Sequence, residues 1–181
     1  MPGHLALKGE KISLWTLTKD DIKLIWKYYG DFELRKYLER RWQPIYYEDE
    51  EKWYENIVKN KDENIVFCIV ENSSNELVGL IGLHKIDSYS KHAELGYWIW
   101  RDYWNRGYAT EAVKLTLKYA FEYLNLNKVW ARALESNKAS QRVLEKNGFK
   151  LVGKLRRHNY TPGEGFVDEL YYDLLKEEWG H

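Results

Sequence analysis

The sequence predicts an α+β domain, with α and β elements mixed. A central, mostly antiparallel sheet of about seven strands carries helices on both faces. Three observations support this. Apolar or alternating runs at 64–71, 77–84 and 93–100 follow one another across two short polar turns, ENSSNE (71–76) and IDSYSKH (86–92), as in an antiparallel meander. After Gly107 the period changes, and Ala109, Ala112, Val113, Thr116, Ala120 and Tyr123 fall on one face of a helix. A strand then resumes at 128–133, and a strand–helix–strand unit within one sheet requires a parallel pairing or a crossover.

Taken in order, ISLWTL (12–17) alternates apolar and polar residues and reads as a strand. Thr18 then caps a helix over about 20–29, with Asp20 and Asp21 in its first turn. A charged, aromatic loop leads to a second helix at 48–60, with Trp53, Ile57 and Val58 on its inner face. The meander follows. Gly96 inside its third strand suggests a bulge or a close approach by another backbone. The helix from Gly107 runs to about Leu124. A further helix at 137–147 ends at Gly148 and Phe149, where Gly suits the left-handed C′ position and Phe the apolar contact beyond it. Strands at 149–154 and 167–174 close the chain around TPGEG (161–165). There is no internal repeat or long linker, and 181 residues fit one domain.

Composition narrows the class. With 44% hydrophobic and 31% charged residues the chain reads as soluble and globular. Lys+Arg and Asp+Glu both number 28, so the basic excess typical of a nucleic-acid partner is absent. The one cysteine, Cys68 in IVFCIV, reads as a small buried hydrophobe and fits a reducing compartment. No apolar run approaches the ~20 residues of a membrane helix. The start MPGHLALKGEKISL lacks the apolar core of a signal peptide, so the expectation is a cytoplasmic protein with no membrane partner. The cluster Trp42, Tyr46, Tyr47, Trp53 and Tyr54 reads as core packing, with a binding groove as the alternative.

The stretch RDYWNRGYATEA (101–112) follows a strand and opens a helix. The first amides of a helix lack partners, and the helix dipole adds positive charge there, so such an end binds anions. Gly107 lets the backbone approach an anion and Ala109 keeps the next turn narrow, with Glu111 favouring the dipole. The alternative is an ordinary loop glycine before an ordinary helix. No G-K-[ST] follows, so this is not a P-loop, and G-x-G-x-x-G is absent. His84, His92 and His158 lack helical ligand spacing or a Cys partner, and His4 and His181 are terminal, so no metal site is expected. No G-x-S-x-G elbow is present.

AELGYWIW (93–100), RGYATEA and SNKASQRVLEKNGF (136–149) together resemble the GCN5-related N-acetyltransferase (GNAT) superfamily, most nearly its branch of ribosomal-protein N-terminal acetyltransferases. The superfamily's phosphate loop reads [Q/R]-x-x-G-x-[G/A]; here the matching positions are Trp104, Gly107 and Ala109, and Trp104 departs from the pattern. The resemblance implies the GNAT fold, acetyl-CoA as cosubstrate, no metal, and direct attack of a primary amine on the thioester. It further implies pantetheine between strands 93–100 and 128–133, paired with backbone near Ile99, Trp100 and Arg101. The diphosphate would lie on amides of Arg106, Gly107, Tyr108, Ala109 and Thr110, and Asn137 would hold the pantetheine arm. A backbone N–H near residues 98–99 would stabilise the oxyanion.

Attack needs a neutral amine, so a general base should face the acceptor. Glu94 is the first candidate, with an exposed strand carboxylate as the bland alternative, and Glu135 is the second. Leu144 stands where many relatives carry a tyrosine acid. Ser140 resembles the serine that the ribosomal branch places near the thiol. Asn137 and Ser140 also read as a helix cap. An α-amine, with a pKa near ~8, is easier to deprotonate than a lysine or polyamine amine near ~10.4. The run EDEE (48–51) would attract a polyamine or simply form a solvated helix start. The expected acceptor is a protein or peptide N-terminus. The alternatives are a small amine such as a polyamine, amino sugar or antibiotic, or a non-catalytic CoA sensor. Either a monomer or a homodimer is compatible with the sequence.

Overall fold

The computed structural model describes residues 3–38 and 42–180. Eight strands form one sheet: β1 (Leu5–Lys8), β2 (Ile12–Thr16), β3 (Ile65–Glu71), β4 (Leu77–Asp87), β5 (His92–Ile99), β6 (Lys128–Leu134), β7 (Lys150–Thr161) and β8 (Gly165–Leu175). Their spatial order is β1-β2-β3-β4-β5-β6-β8-β7. The β5–β6 pair is parallel and the other pairs are antiparallel, as a meander followed by a helical crossover requires.

The strand beyond the expected seven is β1. It is a four-residue edge strand with mostly exposed side chains, so it shows no buried alternation. The final hairpin is longer than expected. β7 is an exposed edge whose register shifts between Leu151 and Gly153 and again between Leu155 and Asn159, and these shifts break its pattern.

Among the described residues five α-helices flank the sheet: α1 (Ile22–Tyr29), α2 (Phe32–Arg35), α3 (Tyr47–Lys59), α4 (Tyr108–Lys118) and α5 (Lys138–Lys146). Asp21 turns the chain into α1 by accepting from the Thr18 N–H at 2.8 Å and the Thr18 hydroxyl at 2.7 Å. In α3, Trp53 packs inward as expected, Ile57 is half-buried, and Tyr54, outside the expected inner-face set, also packs against the core. Val58 does not, and is 52% exposed.

α4 continues into a π turn, Tyr119–Tyr123, closed by Leu124 N–H to Tyr119 O at 3.1 Å. Phe121, one turn after the buried Leu117, is fully buried, and the wider turn moves Tyr123, expected inside, off the inner face to 63% exposure. α5 ends as expected. Gly148 adopts φ 88, its N–H donates to Glu145 O, the Phe149 N–H donates to Leu144 O, and Phe149 is buried.

Two cores sandwich the sheet. One joins Ile12, Phe67, Leu95, Val113, Phe121 and Leu144 beneath α4 and α5. The other joins Ile22, Ile25, Cys68, Leu80 and Trp100 beneath α1 and α3. Burial pushes the Cys68 thiol up, so it remains protonated in that core. Tyr47, Trp53 and Tyr54 pack against this second core, whereas Tyr46 is exposed. Among the described residues no helix is long and apolar enough to cross a membrane.

Gly96 carries no bulge. The β4–β5 register runs in step from Gly79↔Ile99 through Gly82↔Gly96 to His84↔Glu94, and the irregularity falls between His84 and Asp87. Nor does another backbone crowd it. The nearest atoms to a Cβ built there belong to the His84 ring, at 3.5 and 3.6 Å.

Candidate active site

The parallel β5–β6 pairing begins at His92↔Lys128 and ends at Leu95↔Ala131. Beyond it β6 stays paired with β8 as far as Leu134↔Glu169, while β5 stays paired with β4 as far as Ile99↔Gly79. A wedge therefore opens between β5 and β6 at Gly96. The Trp100 N–H donates to Val78 O at 2.8 Å. Strand alternation then turns the backbone groups of Gly96 and Trp98 toward β4, and those of Tyr97 and Ile99 toward the wedge. The Ile99 carbonyl is taken by the Trp104 indole N–H at 2.8 Å, which pins the following loop to the strand end. The Tyr97 amide and carbonyl and the Ile99 N–H line the opening.

A groove of about 410 Å³ runs from this wedge to the start of α4. Its walls include Ile99, Arg106, Gly107, Tyr108, Ala109, Thr110 and Asn137. Asn105 (φ 61) and Gly107 (φ 81) both take left-handed backbone, and Gly107 is the N-cap of α4 with no side-chain cap. The first amides of α4 thus open on the groove with no side chain covering them. Among the described residues Arg106, Arg142 and Lys146 line it and no carboxylate does, although Arg106 also pairs with Glu71 at 3.6 Å. The two cations on α5 sit one turn apart and carry no motif, so sequence reasoning missed them. Lys11 adds a further cation, its Nζ 3.7 Å from where a Gly107 Cβ would be.

Two expected positions do not line the groove. Trp100 is fully buried in the opposite core, with its backbone N–H on Val78 and its indole N–H donating to Leu77 O at 2.8 Å. Arg101 is exposed and pairs with Asp31 at 3.2 Å. Strand alternation faces one residue to each side, so Ile99 reaches the wedge and its neighbour cannot. The Tyr108 side chain is also turned away, with its hydroxyl donating to Glu71. That bond, with the Ser74 hydroxyl, holds the Glu71 carboxyl below its ordinary range. Only the Tyr108 backbone faces the groove. Glu111, meanwhile, accepts from the Lys11 N–H at 3.1 and 3.2 Å and ties the β1–β2 turn to α4.

At the inner end of the groove, Asn137 caps α5 by accepting the Ser140 N–H at 3.1 Å. The Ser140 hydroxyl lies 2.9 Å from the Tyr97 hydroxyl, which also donates to Ser140 O at 3.3 Å. Burial holds the Tyr97 phenol well above its usual range, so it stays protonated. Tyr97 was missed in the sequence. Its only signal was alternation, which places it with Leu95 and Ile99 on the α5 side of the sheet. Leu144, at the position where many relatives carry a tyrosine, is fully buried in the core.

Two further cavities reach Tyr97, of about 550 and 700 Å³. The first is walled by Tyr29, Asp49, Glu50, Trp53 and His84. The second is walled by Lys36, Lys85, Glu94, Arg132 and Ser140. Glu94 is buried and committed on both oxygens, to Arg132 Nε at 2.6 Å and Lys85 Nζ at 2.7 Å, while Arg132 also pairs with Glu169 at 3.3 Å. The carboxylate expected as base serves here as a counter-ion between two cations. Glu135 is exposed and lies 3.4 Å from Lys154, away from the wedge. Among the described residues no cluster of three metal-ligating side chains occurs.

An uncapped helix end thus opens on a groove whose described lining carries cations and no carboxylate, and the groove leads to a gap between parted parallel strands. The acetyltransferase (GNAT) domain family matches residues 11–150. The chain belongs to that family and is an N-acetyltransferase. It is 28% identical over 179 residues to the uncharacterized N-acetyltransferase p20 of Bacillus licheniformis, covering 96% of this chain and 98% of that one. It is 42% identical over 103 residues to YdaF of Bacillus subtilis (strain 168), a provisionally named ribosomal N-acetyltransferase, covering 57% of this chain and 56% of that one. In fold it matches the spermidine N-acetyltransferase from Vibrio cholerae solved with CoA and spermine, with a TM-score of 0.85 over 94% of this chain and 98% of that one, at 21% identity. At that identity the likeness shows the fold alone.

Proposed function

We propose that this protein transfers the acetyl group of acetyl-CoA to the α-amine of a peptide or protein N-terminus in the cytoplasm. This reading places it with the ribosomal-protein N-terminal acetyltransferases. The observation that carries acetyl-CoA binding is the uncapped start of α4 on a groove whose described lining holds three cations and no carboxylate. The amides of Tyr108, Ala109 and Thr110 receive the diphosphate. The Tyr97 backbone and the Ile99 N–H take the place of a partner strand for the pantetheine arm, and the Asn137 side-chain amide holds its far side. One of the two strand N–H groups remains for the oxyanion. Ser140 donates to the departing sulfur, supported by the Tyr97 hydroxyl.

The acceptor side favours an N-terminus because its walls carry both signs. Asp49, Glu50 and Glu94 face Arg35, Lys36, Lys85 and Arg132 across the two cavities. A polycation would prefer a wall of uniform negative charge, whereas a peptide presents one amine on a neutral backbone. The likeness to YdaF points the same way. One observation favours a second reading, a polyamine acceptor: Asp49 and Glu50 line the 550 Å³ cavity, and the spermidine enzyme shares the fold.

Acetylation of N-terminal peptides, polyamines and amino sugars, read by mass spectrometry alongside thiol release, separates these. Peptide N-termini should be acetylated with the highest kcat/KM. Preference for spermidine would replace this reading with the second. CoA binding without turnover of any amine would make the protein a sensor.

A further inference from the structure

We infer that His84 is the general base of this acetyl transfer, taking the proton of the acceptor ammonium on Nε2. The inference deepens the proposed function and rests on it. His84 lies on β4 directly across from Glu94 and on the same face of the sheet, the face covered by α1 and α3. Its Nδ1 lies 3.2 Å from the Asn64 side-chain oxygen. An amide oxygen only accepts, so Nδ1 carries the hydrogen and Nε2 presents a lone pair. The Nε2 atom lies over the Gly82–Gly96 pair, 3.0 and 3.6 Å from where their Cβ atoms would stand. Gly96 is where β5 leaves β6, so Nε2 sits beside the mouth of the wedge. His84 also lines both cavities on the acceptor side.

The surrounding charges leave the ring available. Glu94 raises its proton affinity and Lys85 lowers it, but burial is the largest influence and holds the imidazole below its ordinary range. The ring is therefore neutral near pH 7. Glu94 is itself held by Lys85 and Arg132. Asp49, Glu50 and Arg35 line the same cavity from α3 and α2. Asp49 accepts the Tyr46 N–H at 3.0 Å as part of the α3 cap.

The step balances as follows. The acceptor ammonium gives one proton to Nε2. The freed lone pair forms the C–N bond at the thioester carbonyl, and the C–S bond breaks. The sulfur takes the Ser140 hydroxyl proton, which the second proton from the acceptor nitrogen replaces. His84 returns its proton to water through the open cavity.

The test is the pH profile of kcat/KM for the wild type and His84→Gln with the preferred peptide, with CoA affinity measured by calorimetry. The expected result is unchanged CoA affinity and a loss of about 100-fold near pH 7, shrinking as pH passes the acceptor pKa near ~8. Imidazole should restore part of the activity of His84→Ala. If these variants fail to fold or to bind CoA, Asn64→Ala decides. Freeing the ring should lower kcat at least several-fold at constant KM for acetyl-CoA, and an unchanged kcat would overturn the inference. A folded, CoA-binding His84→Gln with an unaltered profile would overturn it while leaving the proposed function intact. A wild type that binds CoA and acetylates no amine would overturn both.

Discussion

Gly107 performs two tasks that no other residue type combines. It holds φ 81 at the N-cap of α4, and it leaves the following amides uncovered. Gly107→Glu should abolish CoA binding in calorimetry, because its carboxylate would sit over the anion site. Retained binding would show that the diphosphate lies elsewhere. His84 makes a second prediction at this scale. Its folded pKa is depressed, so the unfolded chain binds more protons as pH falls through the ordinary histidine range near ~6.5. Its contribution to stability is complete above that pH and is lost below it. The wild-type melting temperature should fall more steeply from pH 7 to pH 5 than that of His84→Gln; parallel slopes would contradict the buried neutral ring. The two residues differ in legibility. The role of Gly107 is local backbone chemistry and could be read from RGYATEA. The roles of Tyr97 and Glu94 depend on Ser140 and Arg132, each about forty residues away, and no local pattern reports such partners.

At the scale of elements, α4 and α5 were legible wherever a cap or a period marked them. The Gly148–Phe149 end of α5 formed as read, because its two hydrogen bonds and apolar contact involve only near neighbours. Gly148→Ala should cost about 1 kcal/mol in urea unfolding. The cost comes from left-handed strain, since its Cβ meets only Leu174 at 3.6 Å, an ordinary contact. A loss of several kcal/mol would mean that the turn is more crowded than this geometry shows. The π turn at the end of α4 was not legible. A straight helical wheel carries Tyr123 inward, and one inserted residue moves that place on to Leu124, which packs against the core. β1 and the outer half of β7 were hidden because exposed edge strands bury too little to impose alternation.

For the whole molecule, the order of strands and helices followed from periods, turns and one strand–helix–strand unit, but the parting of β5 from β6 did not. It arises because β6 continues along β8 while β5 continues along β4, a choice made by pairing across the entire sheet. The charge balance is likewise a property of the fold. A chain with 28 basic and 28 acidic residues presents Arg106, Arg142 and Lys146 on one groove whose described lining holds no carboxylate, with Glu71 3.6 Å from Arg106 as the nearby counter-charge. CoA affinity should therefore fall as salt rises, and the double substitution Arg142→Glu with Lys146→Glu should weaken CoA by at least ten-fold while flattening that salt dependence. An unchanged affinity would place the phosphates away from α5.

The most direct test is a crystal structure of the protein with coenzyme A. The diphosphate should lie within about 2.7–3.2 Å of the backbone nitrogens of Tyr108, Ala109 and Thr110, with the pantetheine running along Tyr97 and Ile99 and the sulfur beside Ser140. Coenzyme A bound with the start of α4 empty, or outside the gap between β5 and β6, would contradict the account.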